Sequence, residues 1–185
     1  MITPFLDTLR LSENFDGAPK DIIGAAQRLG LEGVVAKKRG SLYEPGQRSG
    51  TWVKYRINRS QEFVIGGYIP GADFFEALLV GYYRASQLLF VAKIRNGFVS
   101  RVRRELFSKF ARLETKQCPF ANLPEAKSAR RGMALTAEAM KQCRWLRPDL
   151  VAQIEFAEWT ENDHLRHARF IGLREDKNPR QVGRR

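Results

Sequence analysis

Three short segments of the sequence carry side chains that could bind a phosphate-rich ligand. In the first, Glu32–Lys37 (EGVVAK), a carboxylate and an amine bracket a short apolar run. Glu32 could hold a metal ion and the amine of Lys37 could contact a phosphate. Charges that flank a buried strand are common, however, so this segment on its own favours a structural role.

The second segment, Trp52–Arg56 (WVKYR), alternates as a β-strand does. Side chains of a strand point to its two faces in turn, so Lys54 and Arg56 share a face. Two neighbouring cations repel each other, which favours an anion between them. A solvated strand face explains this segment equally well when it is taken alone.

The third segment, Arg169–Lys177 (RFIGLREDK), is a strand that ends in a dense cluster of charges. Arg174, Asp176 and Lys177 could clamp a triphosphate tail. Taken alone, the cluster is better explained as an ordinary charged strand end.

The first two segments lie in a small α/β fragment, which we assign to residues 1–58. Apolar spacing and a proline near the start predict a helix at residues 19–30, followed by a strand at 33–36. A loop rich in turn residues leads to a second strand at 52–57. Two strands and a helix cannot close a core, so this is a remnant of a larger domain.

The third segment ends a region with a different texture, residues 59–185. Three strand-like runs at 62–69, 76–84 and 87–94 precede a helix at 99–113, and two further strands follow at 150–160 and 166–173. Five strands with a helix after the third are typical of an OB-fold barrel, which binds nucleic acids. The predicted fold class is therefore α+β: an OB-fold barrel with an inserted helix, preceded by an α/β remnant.

The charge is strongly positive and unevenly placed. The chain has a net charge of +12 and a pI near 10.2. Residues 1–58 hold 9 Lys/Arg against 6 Asp/Glu, and residues 59–185 hold 23 against 14. A merely soluble basic surface is one explanation, but such an excess is typical of proteins that bind a polyanion.

Two groups of cations in the second region are the predicted DNA contacts. The helix at 99–113 has an apolar stripe, and its other face is expected to carry Arg101, Arg103, Arg104, Lys109 and Arg112. Of these, Arg101, Arg104 and Lys109 are the predicted DNA contacts. A polar loop that follows contributes Lys127, Arg130 and Arg131.

Cysteine and histidine usage argues against a structural zinc site. The chain has only Cys118, Cys143, His164 and His167, without the paired spacing of zinc ligands. A disulfide is conceivable, but two idle thiols are favoured. No secretion signal and no apolar run approaching about 18 residues occur, so we expect a cytoplasmic protein without a membrane partner.

Taken in order, the segments resemble the late motifs of the covalent nucleotidyltransferases, which include ATP-dependent DNA ligases and capping enzymes. The resemblance is to the ligase module of bacterial end-joining ligases of the ligase D type in particular. The matching segments span nearly the whole chain: Leu9–Glu13, Leu29–Lys37, Tyr43–Gly50, Trp52–Arg56, Glu155–Thr160 and Arg169–Lys177.

The resemblance implies roles for several of these side chains. Glu32 matches a metal-associated carboxylate, and Lys54 matches a lysine that holds the phosphate of the adenylate. Arg56 stands where a second lysine is usual, and the planar guanidinium of arginine is not equivalent to the compact ammonium group of lysine. Arg174, Asp176 and Lys177 match the motif that closes over ATP and orients its departing pyrophosphate. The predicted nucleotide-binding set, which would serve ATP and Mg²⁺ in the complete enzyme, is Lys37, Lys54, Arg56, Arg174 and Lys177.

The nucleophile of the family is absent from this sequence. Catalysis in the family begins with the lysine of a Lys-x-Asp-Gly motif, which attacks the α-phosphate of ATP. No such motif occurs, and Asn14–Gly17 (NFDG) only mimics its second half, because Asn14 has no nucleophilic amine. We therefore predict no catalytic residue and no lysyl-adenylate on this chain alone.

Two functional hypotheses follow. The chain is part of an ATP-dependent DNA ligase that seals nicks in duplex DNA during end joining and repair. It would work with the missing nucleotidyltransferase half and with end-joining factors. Alternatively, it is a truncated, ligase-like OB module that binds DNA without catalysis. An RNA-binding OB protein is a weaker third reading, because it leaves the nucleotidyltransferase segments unexplained.

Overall fold

The computed structural model describes residues 14–47, 49–125 and 134–184. It divides into two compact units, one reaching to Ile57 and the other starting at Asn58. Three of the predicted DNA contacts, Lys127, Arg130 and Arg131, lie outside the described residues, as does the Leu9–Glu13 segment.

The first unit consists of one helix and two antiparallel strands. Helix α1 (Pro19–Arg28) begins with proline in its first turn, where the missing N–H costs nothing. It ends two residues before the predicted boundary, because Gly30 adopts a left-handed conformation with φ 67°. Strand β1 (Gly33–Lys37) then pairs with β2 (Trp52–Arg56).

This small sheet is exposed on both faces. Val53 on one face is 57% exposed and Val35 on the other is 50% exposed, while Ala26 is the one buried apolar residue among those described in the unit. Such apolar exposure is expected of a sheet that another element normally covers.

The second unit is a five-stranded barrel with accessory elements. In chain order it contains β3 (Arg59–Pro70), β4 (Phe75–Arg84), β5 (Gln87–Ile94), α2 (Ser100–Phe110), β6 (Glu114–Thr115), α3 (Ala137–Met140), β7 (Arg144–Phe156), β8 (Glu158–Trp159), β9 (Leu165–Arg166) and β10 (Arg169–Leu173). The main strands pair in the order β10-β7-β3-β4-β5. In chain order, α2 is inserted after β5, the third of the main strands, and this arrangement is that of an OB-fold. The predicted fold class is confirmed.

A parallel bridge between Asn96 and Arg169 joins the two outer strands and closes the barrel. The Phe170 amide donates to the Asn96 carbonyl at 2.9 Å. Gly97 beside this bridge has φ 94°, and a Cβ there would lie 2.1 Å from the Phe170 oxygen. Only glycine permits this approach of the two backbones.

Strand β7 begins at Arg144, before the predicted start at residue 150, because Pro148 lies within the strand without interrupting it. Between β3 and β7, Ile65 pairs with Leu150 and Gly67 pairs with Trp145, so the register shifts across this region. The extra residues of β7 form a bulge that takes the proline out of the ladder, as prolines in strands require.

Helix α2 covers one end of the barrel with its apolar stripe. Leu106 and Phe110 are buried, and Phe110 stacks on Tyr68 with ring centroids 5.0 Å apart. Arg103, expected on the polar face of the helix, instead lies on this side, with its guanidinium 5.0 Å from the ring centre of Phe75 and 4.9 Å from that of Phe98. Arg103 therefore has a structural role.

A buried histidine ties β5 to two later segments of the barrel. His164 Nδ1 lies 2.9 Å from the Val91 carbonyl, and its Nε2 lies 2.7 Å from a carboxylate oxygen of Glu125. Both partners are acceptors, so the imidazolium form, in which both ring nitrogens donate, satisfies both contacts. The hydrogen bond to Glu125 raises the pKa of His164 against the opposing effect of burial. The other Glu125 oxygen accepts from the Leu135 amide at 2.6 Å.

The ion pair predicts a pH-dependent stability. The folded-state pKa of His164 lies above its ordinary value of 6.5. Its contribution is therefore complete below about pH 6.5 and is lost as the pH rises through the folded-state pKa. We expect His164→Gln to lower the free energy of unfolding by about 2 kcal/mol at pH 6. In urea titrations, the difference in free energy of unfolding between the variant and the unmodified chain should narrow as the pH is raised. A difference that stays constant from pH 6 to pH 9 contradicts the assignment.

Both cysteines are free thiols. Burial raises the pKa of Cys143 to about 11, and burial also raises that of Cys118, so neither thiol is activated at neutral pH. In the described part of the chain, no helix combines the length and the apolar character needed to cross a membrane.

Candidate nucleotide and DNA-binding sites

One face of the β1–β2 sheet gathers the three predicted nucleotide-binding cations of the first unit. The register pairs Lys37 with Trp52, Val35 with Lys54 and Gly33 with Arg56. Residues directly opposite each other share a face, and so do alternate residues along a strand. Lys37, Lys54 and Arg56 therefore line the same face.

The cations of this face have little internal compensation. Lys37 lies over the Trp52 ring, with Nζ 4.3 Å from the ring centre. Lys54 and Arg56 are exposed, and no carboxylate of the described residues lies within 4.0 Å of either. A face of three uncompensated cations can accommodate a phosphate group.

Gly33 allows the two strands to come close at the Arg56 end. A Cβ on Gly33 would lie 2.2 Å from the Tyr55 carbonyl oxygen, so a larger residue would push the strands apart. The Ile57 amide donates to the Glu32 carbonyl at 2.9 Å, which places Glu32 at this same end.

The Glu32 side chain is exposed and belongs to no group of three metal-binding side chains within the described residues. A single carboxylate nevertheless fits Mg²⁺, which is often held by one or two carboxylates together with the phosphates of a substrate.

The remaining nucleotide-binding candidates, Arg174 and Lys177, lie in the second unit. All three guanidinium nitrogens of Arg174 are engaged. Nε and Nη2 donate to Asp176 at 2.9 and 2.8 Å, and Nη1 donates to Gln153 at 3.1 Å and to Glu62 at 3.3 Å. Lys177 Nζ lies 3.7 Å from Glu62.

The two edges of the Arg174 guanidinium differ in accessibility. The Glu62 side chain is 10% exposed, whereas the side chain of Asp176 is 61% exposed. The hydrogen bonds from Arg174 lower the pKa of Asp176 to about 2, so Asp176 is an anion throughout the physiological range. A bidentate carboxylate thus occupies the outer edge of the fork, in the geometry that a phosphate would take.

Sequence reasoning missed Glu62 and Gln153 as partners of Arg174. They are 112 and 21 residues away in the chain, so spacing gave no direct signal. The one available sign was a carboxylate at the start of the apolar run that forms β3, since a buried charge needs a partner.

The predicted DNA contacts on α2 are not equivalent. Arg101 Nε donates to Glu105 at 2.8 Å, and Lys109 Nζ donates to Glu175 at 2.9 Å. Arg104 is exposed and has no carboxylate partner among the described residues. Of the three predicted contacts on the helix, Arg104 is therefore the one whose charge is uncompensated within the described residues.

Comparisons with known proteins place this geometry in a family. The family model described as "ATP dependent DNA ligase C terminal region" matches residues 71–177. Over 182 residues the chain is 32% identical to the multifunctional non-homologous end joining protein LigD of Pseudomonas aeruginosa, covering 95% of this chain and 20% of that protein. LigD of Mycolicibacterium smegmatis is 36% identical over 156 residues, covering 82% of this chain and 19% of that protein.

Solved structures agree. The ligase domain of Mycobacterium tuberculosis LigD matches with a TM-score of 0.61 and 32% identity, covering 92% of this chain and 53% of that one. A mycobacterial DNA ligase D complexed with ATP matches with a TM-score of 0.60 and 33% identity. The chain spans about a fifth of the LigD proteins and about half of the ligase domain. The expected resemblance is confirmed: the chain belongs to the ATP-dependent DNA ligases and corresponds to the C-terminal region of a LigD-type ligase.

Proposed function

We propose that this chain is the DNA-binding C-terminal segment of an ATP-dependent ligase that seals nicks in duplex DNA during end joining. It comprises the end of a nucleotidyltransferase domain, residues 1–58, and an OB-fold DNA-binding domain, residues 59–185. The observation that carries the proposal is the juxtaposition of Lys37, Lys54 and Arg56 on one open face of a sheet, in a chain that also contains an OB-fold with a basic excess.

In the complete enzyme, the β1–β2 face would hold the phosphate of the adenylate. Lys54 and Arg56 lie on neighbouring positions of that face and have the charge for this role. Glu32 would hold Mg²⁺ together with phosphate oxygens, and the metal would neutralise charge on the nucleotide when bound. Arg174 and Lys177 would contact the pyrophosphate portion of ATP once Asp176 gives way to it.

The partner that fits the exposed apolar residues of the first unit is the rest of the nucleotidyltransferase domain. Val53 and Tyr55 are 57% and 49% exposed, and both would be covered by further strands or helices of such a domain. The same partner would supply the Lys-x-Asp-Gly nucleophile.

A direct test of this division is covalent adenylation. Incubated with α-labelled ATP and magnesium, the 185-residue chain should yield no acid-stable labelled protein, because it has no lysine in the required motif. When it is joined to a LigD segment that contains the motif, a labelled band should appear. A band from the chain alone that disappears on replacing one of its lysines overturns the proposal.

The alternative of a DNA-binding module without catalysis makes a different prediction in the same assay. The joined polypeptide would then stay unlabelled or would carry label without sealing nicks, although the chain itself would bind DNA.

A further inference from the structure

Most of the exposed cations described on the barrel are matched by the protein's own carboxylates. The matched residues, each within 4.0 Å of a carboxylate oxygen, are Arg84, Arg95, Arg101, Lys109, Lys141, Arg147, Arg166, Arg169 and Arg184. These pairs cancel charge locally, so the basic excess of the unit has to lie elsewhere.

Three unmatched cations gather around the short ladder between β6 and β7. Arg112, Lys116 and Arg144 are exposed, and within the described ranges none has a carboxylate oxygen at 4.0 Å or less. Lys116 and Arg144 lie on separate segments of the chain, and the pairing of β6 with β7 brings them together.

The pairing places these cations at the two ends of the ladder. Thr115 pairs with Trp145, so Lys116, which follows Thr115, lies at the same end as Arg144, which precedes Trp145. Cations directly across two strands destabilise each other unless an anion intervenes.

At the other end, Arg147 lies beside Arg112. The Arg147 amide donates to the Leu113 carbonyl at 2.8 Å, and its guanidinium donates to the Arg112 carbonyl at 3.2 Å. Arg147 marks the position of Arg112, so the three unmatched cations extend over about three residues of strand, or roughly 10 Å. Along the helix axis, one DNA strand carries about three phosphates over that length.

Two carboxylates reduce but do not cancel this charge. Asp149 lies 3.5 Å from Arg147 Nε, and Glu114 accepts a hydrogen bond from the Tyr68 hydroxyl at 2.5 Å. With Arg147 matched by Asp149 and Glu114 set against the other three cations, the patch keeps an excess of two positive charges. Among the described residues, no carboxylate oxygen lies within 4.0 Å of Lys116 or Arg144.

We propose that the β6–β7 patch, formed by the unmatched cations Arg112, Lys116 and Arg144, binds the phosphodiester backbone of duplex DNA. The inference rests on the proposed function in one respect, that this chain binds DNA. It adds a contact surface distinct from Arg101, Arg104 and Lys109 on the α2 face.

The test compares two double variants of the 185-residue chain that lose the same formal charge. Lys116→Gln with Arg144→Gln removes patch cations, and Arg95→Gln with Arg166→Gln removes cations already paired with carboxylates. Binding to a fluorescent nicked duplex is measured by anisotropy over a series of salt concentrations, and thermal unfolding is followed for each variant.

The patch variant should bind at least tenfold more weakly at low salt. Its log–log salt slope should be shallower by about 2, because each lost phosphate contact reduces the slope by about 0.9. The paired-cation variant should stay within twofold of the unmodified chain. Arg112 lies outside both strands, so Arg112→Gln can replace the double variant if that variant unfolds. It should reduce the slope by about 1.

Each other outcome has a definite meaning. If the unmodified chain shows no salt-dependent DNA binding, the proposed function fails. If it binds steeply but both double variants weaken equally, only bulk charge matters and the patch is overturned. If the patch variant keeps its DNA affinity but loses binding to polyglutamate, the partner is an acidic protein and the inference is wrong.

Discussion

Replacing Lys54 by alanine is expected to abolish nick sealing in a ligase reconstituted with this chain, while DNA binding stays within about twofold. Lys54 lies on the open β1–β2 face between Lys37 and Arg56. Removing one preorganised charge at a reacting phosphate typically costs about 100- to 1000-fold in rate. The measurement is single-turnover sealing of a labelled nicked duplex, with DNA affinity determined in parallel.

Lys38→Ala is the matched control for this substitution. Lys38 is an exposed lysine of the same unit and directly follows β1. Its backbone amide donates to the Thr51 carbonyl at 2.7 Å, a contact that alanine keeps. It should leave sealing nearly unchanged. If Lys54→Ala instead weakens DNA binding by as much as it slows sealing, strand β2 is itself a DNA surface and its nucleotide role is wrong.

The affinity of the chain for DNA should fall roughly 250- to 1000-fold when monovalent salt is raised from about 50 to 200 mM. About five phosphate contacts give a log–log slope of roughly −4 to −5, because each contact releases condensed counterions. Exposed cations without internal carboxylate partners, such as Arg104 and Arg144, are suited to such contacts. The expectation applies to any duplex sequence, because phosphate contacts carry no sequence information.

Anisotropy titrations with two unrelated nicked duplexes of equal length, and with a single strand, measure this. The nicked duplexes should bind equally and at least as well as the single strand. A flat salt dependence, or a clear preference for one sequence, is incompatible with binding through the backbone.

The fold was predictable because its signals are local. Alternation and turn residues indicated the strands of the barrel, and the apolar stripe of Leu106 and Phe110 indicated α2. The length of β7 was missed, because the bulge that accommodates Pro148 depends on the register with β3 and not on β7 itself.

In the candidate sites, too, contacts set by local spacing were predictable from the sequence, and contacts set by tertiary packing were not. Period-2 alternation placed Lys54 and Arg56 on one face, as the structure has them. The pairing of Arg101 with Glu105 follows from their i,i+4 spacing, although it was not anticipated. The pairing of Lys109 with Glu175 could not be anticipated, since 66 residues separate the two and only the packing of α2 near β10 brings them together.

The most direct test of the account is nick sealing with separated and joined parts. The substrate is a 5′-phosphorylated nicked duplex, supplied with ATP and magnesium. Three proteins are compared: this chain, a LigD nucleotidyltransferase segment that contains the Lys-x-Asp-Gly motif, and the two joined in one polypeptide. We predict efficient sealing by the joined protein, little or none by the segment, and none by the chain. Sealing by the chain alone, or a joined protein that becomes adenylated and binds DNA yet never seals it, would contradict the account.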